Sequence, residues 1–113
     1  METLALDKPA LGLRVLLDDQ VARVELDVPG ACNNPLTAPL VTELERLLAA
    51  LAADARVAGI VLTSAKPAVF CAGDELEALA ATHDAVRAAA ASRLGQRVFA
   101  RLEASPKPVV AAV

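Results

Sequence analysis

The residues best suited to chemistry fall in one stretch, Ser64 to Leu76, which reads SAKPAVFCAGDEL. At its centre a small-residue step, Ala72-Gly73, leads into Asp74 and Glu75 and then an apolar helical run from Leu76. A turn that opens onto a helix start leaves backbone N–H groups pointing outward without intrahelical partners. Donors placed in this way can stabilise a developing oxyanion. The same residues support an architectural reading. Gly73 then supplies an unusual φ in a strand-to-helix turn, Asp74 caps the helix and Glu77 completes a capping box. Taken alone, the residue pattern favours this second reading.

Other chemistries have weaker support. The single histidine, His83, has no partner at metal-ligand spacing, and no metal is expected. Beside Asp84 at a polar helix start, it reads as a solvated side chain rather than a member of a catalytic triad. Cys71 lies near the expected helix N-terminus, where thiols acidify. Flanked by Phe70 and Ala72 and followed by two acids, it reads as a buried structural residue. A phosphate loop needs a Gly-rich turn, and Gly73 stands alone.

The elements that must position this stretch are built from an aliphatic chain. Of 113 residues, 56% are apolar and only 2% aromatic, so the core of one domain must be packed from small and aliphatic side chains. The net charge of −3 leaves no basic stripe for nucleic acid and no basic patch for an anionic membrane. No apolar run approaches the ~18 residues of a membrane span. Cys32 and Cys71 read as reduced, small hydrophobic side chains in a cytoplasmic protein. The N-terminus carries Glu2 and Asp7 and lacks the basic start of a signal peptide, so it is not expected to be one, and residues 1–11, broken by Pro9, read as a leader.

Gly12 to Leu26 reads as a hairpin. Val21, Arg23 and Glu25 alternate there with Ala22, Val24 and Leu26. Asp27 to Pro35 is a loop dense in Pro, Gly and Asn. Thr37 is a candidate N-cap and Pro39 fits a first turn. Leu40, Val41, Leu44, Leu47, Leu48 and Leu51 then repeat at helical spacing to about Ala53. Val57 to Thr63 is apolar on both parities, as in a strand buried on both faces. A short helix is expected over Glu75 to Ala81. A longer one follows over His83 to Ala104, capped by Thr82 or Asp84, and a last strand over Pro108 to Val113. This order implies an α/β fold with a mostly parallel sheet. An apolar strand at the sheet edge is an association hazard.

Several ordered segments resemble one family. FCAGDEL, from Phe70 to Leu76, is similar to the FCAGADL signature of the crotonase, or enoyl-CoA hydratase/isomerase, superfamily. Val21 to Leu36, VARVELDVPGACNNPL, resembles its strand and "RPExxNAL" loop, with Asn34 and Leu36 at the N-x-L positions. Leu102 to Val113, LEASPKPVVAAV, resembles "LxxLPKPVIAAV". Asp27-Val28-Pro29-Gly30 and Ser64-Ala65-Lys66-Pro67 resemble forms found in multifunctional fatty-acid oxidation enzymes. The resemblance covers nearly the whole chain after the leader.

The resemblance implies a ClpP/crotonase-like ββα spiral, with residues 12–113 as the N-terminal portion of the domain. It implies an acyl-CoA thioester substrate and no permanently bound cofactor, coenzyme A arriving as part of the substrate. It implies an oxyanion hole of two backbone N–H groups, the first being that of Asp74. Ala72, Gly73, Glu75 and Leu76 map with Asp74 to one CoA-bordering segment, and Ala31 to the other wall. A homo-oligomer, trimer or hexamer, is implied, or association through the sheet edge.

Two departures stand out. Asp74 and Glu75 replace the family's usual Ala and Asp, placing negative charge beside a developing oxyanion. A capping Glu77 would also compete for the Asp74 N–H. The family's "NGxAxGGGxE"-like segment, with the second donor and a catalytic carboxylate, is not among these residues. The 113 residues alone are therefore expected to be inactive as a hydratase, as a truncated or split chain. The alternative is a non-catalytic module for CoA binding or protein association.

Overall fold

The alternation in Val21 to Leu26 builds the hairpin from which the sheet grows. A computed structural model describes residues 1–71, 73–74 and 84–113. In it, β2 (Leu13–Asp18) and β3 (Val21–Leu26) pair antiparallel. The register sets Leu13 opposite Leu26, Val15 opposite Val24 and Leu17 opposite Ala22. All six are buried on one face of the sheet. Arg14, Asp18, Val21 and Arg23, on the other parity, are exposed.

The expected leader is instead part of the sheet. Glu2–Thr3 forms an edge strand, β1, antiparallel to β2. The cause is Leu4, whose side chain is buried in the core while its N–H donates to the Val15 carbonyl at 3.0 Å. Asp7 adds a carboxylate bond, accepting from the Val15 N–H at 2.7 Å. A 3₁₀ turn, Pro9–Leu11, then closes at Gly12, whose φ is 93°.

Helix α1 (Ala38–Ala53) forms as its pattern requires. Thr37 Oγ1 accepts from the Leu40 N–H at 3.2 Å and Pro39 sits in the first turn. All six periodic residues, Leu40, Val41, Leu44, Leu47, Leu48 and Leu51, are buried. The far end of α1 is closed from a distance. Lys107 Nζ donates to the carbonyls of Leu51 and Asp54, each at 2.6 Å.

Strand β5 (Gly59–Ser64) lies parallel to β3, with Ala22 opposite Ile60 and Val24 opposite Leu62. Helix α2 (Ala85–Glu103) is capped by the Asp84 carboxylate, which accepts from the Val86 N–H at 2.8 Å. It packs on α1 through the buried Val98 and an Arg97–Glu45 ion pair at 2.6 Å. Strand β7 (Val109–Ala111) then pairs parallel with β5. The five-stranded order is β1-β2-β3-β5-β7.

Burial of β5 on both faces is corrected. Ile60 is buried, but Val61, Leu62 and Thr63 are only half-buried. The helix side chains join a core cluster with Ile60, Leu62 and Val109, so both helices cover one face. No described helix covers the face of Val61, and Val110 beside it is 58% exposed.

Two segments expected to be loop and turn also pair with each other. Pro35–Leu36 (β4) and Gly73–Asp74 (β6) form a small parallel sheet, Pro35 opposite Gly73 and Leu36 opposite Asp74.

Candidate active site

Asn34 is one of two polar side chains buried among the described residues, and it lies between the 28–34 loop and the segment after β5. An amide offers an acceptor and two donors in one plane, and here all three are used. Asn34 Oδ1 accepts from the Val28 N–H at 3.1 Å, which closes the 28–34 loop on itself. Asn34 Nδ2 donates to Ser64 Oγ and to the Phe70 carbonyl, both at 2.8 Å. Val28 needs an acceptor and Phe70 a donor, so this orientation of the amide satisfies both.

The network continues outward. Ser64 Oγ accepts from the Lys66 N–H at 3.0 Å, and Lys66 Nζ pairs with Asp27 Oδ1 at 3.0 Å. The Lys66 side chain is largely buried while Asp27 is half-exposed, so this pair is better shielded than a surface ion pair. The loop after β3 and the segment after β5 are thus laced together by polar side chains.

Just beyond the lacing, β4 and β6 run side by side. Gly73 has φ 82°, a left-handed conformation that favours glycine. Its N–H donates to Cys71 Sγ at 3.4 Å, so the turn folds over that sulfur. Cys71 is half-buried against the core, less enclosed than expected. Cys32, a free thiol, is exposed in the same loop as the buried Asn34.

Of the sequence-predicted site residues, Gly73 and Asp74 lie on β6. Ala31 is half-buried in the facing loop, its N–H donating to the Val28 carbonyl at 3.4 Å. The β4–β6 pairing and the Asn34 amide bring these two segments together. Ala72, Glu75, Leu76 and Glu77, and the helix expected over Glu75 to Ala81, lie outside the described residues. Asn34, Ser64, Lys66 and Asp27 had no assigned role at the sequence level beyond motif positions. Their sequence signals are the N-x-L position of Asn34, two residues before Leu36, and the Asp27–Gly30 and Ser64–Pro67 resemblances, in a loop where asparagine is also an ordinary turn former.

Five of the described carboxylates pair with arginine, among them Glu43 with Arg46 at 2.9 Å and Glu2 with Arg56 at 3.8 Å. Glu25 is buried on the far face of the sheet, 3.7 Å from Arg14 and 3.2 Å from Arg23. Glu45 is held below the usual carboxylate range by the Arg97 hydrogen bond, with Arg97 and Arg101 charges adding to it. Asp54 is pulled down to about 2 by the Arg56 side-chain and backbone hydrogen bonds. Glu45 and Asp54 are thus ionised and paired at neutral pH, which suits structure rather than proton transfer. No cluster of three metal-ligating side chains occurs among the described residues. No described helix is long and apolar enough to cross a membrane.

A hairpin-fed mixed sheet with helical crossovers on one face matches solved enoyl-CoA hydratase folds. An enoyl-CoA hydratase from Shewanella pealeana superposes with a TM-score of 0.83 at 22% identity, covering 94% of this chain and 40% of that one. One from Bacillus anthracis gives 0.80 at 25% identity, covering 88% and 38%. The family model for enoyl-CoA hydratase/isomerase matches residues 17–113, and the chain belongs to that family. The alpha subunit of the fatty acid oxidation complex from Shewanella amazonensis is 41% identical over 96 residues, and that from Idiomarina loihiensis 38%. The matched region is 85% of this chain but 14% of each of those subunits.

Proposed function

We propose that these residues form the first oxyanion wall of an acyl-CoA thioester site, serving hydration of a 2-enoyl thioester or migration of its double bond. The observation that carries the reading is the Gly73–Asp74 strand, fixed by a left-handed glycine and paired with Pro35–Leu36. In hydration, water loses a proton to a base as its oxygen bonds to the β-carbon, the π electrons move through the conjugated system onto the thioester oxygen, and the resulting enolate collapses as its electron pair takes a proton at the α-carbon. The Asp74 N–H donates to that oxygen as its charge grows. One such donor contributes about 10²–10³ in rate where it meets charge present only in the transition state.

Ala31 and its loop border CoA on one side, and Ala72, Gly73, Asp74, Glu75 and Leu76 on the other. Coenzyme A enters with the substrate, and the reaction needs no resident cofactor. The second donor and the acid–base carboxylates of the complete reaction are not assigned to any residue here, so turnover by the 113 residues alone is expected to be absent. The free cysteines fit a reducing, cytoplasmic setting. Self-association as a trimer or hexamer, or through the β7 edge, belongs to the same reading. Exposed Val110 and the half-exposed Phe99 on α2 support it.

Calorimetric titration tests the site. Crotonyl-CoA is expected to bind about tenfold tighter than the butyl-CoA thioether, which lacks the carbonyl oxygen, a difference of one hydrogen bond. Equal affinities would refute the oxyanion assignment.

A further inference from the structure

We infer that Asn34 is the positioning residue of this site: its buried amide, rather than the Gly73 turn alone, sets the spacing between the 28–34 loop and the strand that carries the Asp74 N–H. What that strand binds rests on the reading above; the geometry of the clip does not.

The amide joins three separate segments. Val28 lies at the root of the loop, Ser64 at the end of β5, and Phe70 just before the turn into β6. Asn34 itself directly precedes β4, so the two strands of the small sheet are both tethered to one side chain. Asp27, Lys66 and Ser64 extend the clip, running from the loop root to the hydroxyl that Asn34 holds. Two-residue strands have too few ladder bonds to hold a spacing by themselves. An apolar side chain of similar volume would leave the Val28 N–H and the Phe70 carbonyl buried and unpaired. Asn34→Asp keeps the acceptor for Val28 but loses both donors and sets a carboxylate against the Phe70 carbonyl.

Amide hydrogen exchange on the full 113-residue chain tests the inference without ligand. Asn34→Ala is expected to speed exchange at Leu36, Gly73 and Asp74 about tenfold or more, with smaller change in β2, β3 and α1, the pattern of a local opening. Crotonyl-CoA affinity is expected to fall by a similar factor. Ser64→Ala, a milder change that removes one of the two acceptors, is expected to loosen the same three amides to a lesser degree. It decides the matter alone if Asn34→Ala does not fold. Uniform acceleration across β2, β3 and α1 in Ser64→Ala, or no change at residues 73–74, would overturn the inference. If the unaltered chain fails to bind crotonyl-CoA, the thioester reading falls, while the exchange result still decides the role of Asn34.

Discussion

Two glycines in the left-handed region separate backbone strain from steric crowding. Gly73 has φ 82°, and a Cβ built there meets nothing within 4 Å among the described residues. Gly73→Ala therefore costs only the left-handed penalty, about 1–2 kcal/mol. Gly12 has φ 93°, and its Cβ would lie 2.8 Å from Val28 Cγ2 and 2.9 Å from Val28 Cα. The second contact is backbone and cannot rotate away, so about 1–3 kcal/mol of overpacking adds to the same strain. Gly12→Ala is thus expected to cost about 2–5 kcal/mol. The Asp27 N–H donates to the Gly12 carbonyl at 2.8 Å, so this push also displaces the root of the loop that Asn34 closes. Urea unfolding followed by circular dichroism measures both variants. Gly73→Asn serves as control and should cost less than Gly73→Ala, because asparagine tolerates the left-handed region. Equal costs for Gly12→Ala and Gly73→Ala, or a Gly73→Asn variant as unstable as Gly73→Ala, would refute the argument.

Lys107→Met keeps the apolar stem but removes the ammonium from the Leu51 and Asp54 carbonyls. A loss of about 2 kcal/mol is expected, seen as a lower thermal midpoint, since hydrogen bonds from charged groups exceed neutral ones. Leu51→Ala, at a fully buried core position, is expected to cost about 2–5 kcal/mol in the same assay. Asp54 has its carboxyl pulled from 3.8 to about 2, so its folded form binds a proton less readily than its unfolded form. Its contribution is fully present above the unfolded value and is lost as pH falls from about 4 through about 2; Asp54→Asn should flatten stability across that window, with little effect on its shape at neutral pH. Asp74→Ala retains the backbone N–H and removes a negative charge beside the oxyanion, so crotonyl-CoA affinity should hold or rise; loss of binding would assign the role to the side chain instead.

Local rules made the larger elements legible. Six apolar residues at helical spacing behind Thr37 and Pro39 specify α1, and strict alternation specifies β3, because each pattern repeats within one segment. The family resemblance carried the rest of the topology, and the structure neighbours share it. What stayed illegible depends on partners far along the chain. Two-residue strands such as β1, β4 and β6 are too short to show a period. Asn34 stands beside Asn33 in a Pro- and Gly-rich loop, and only Ser64 and Phe70, 30 and 36 residues away, make one of the pair a buried clip. Lys107 looks like a surface lysine until the end of α1 is brought against it. The uniform apolarity of Val57 to Thr63 could not reveal that both described helices cover the same face of β5.

The most direct test of the central claim is the amide proton of Asp74 in a ¹⁵N-labelled chain. Saturating crotonyl-CoA should move that resonance downfield, as expected when an N–H gains a carbonyl acceptor, and the butyl-CoA thioether should not. An Asp74 resonance that stays fixed with crotonyl-CoA while residues of the 28–32 loop respond would contradict the assignment of this N–H as the oxyanion donor.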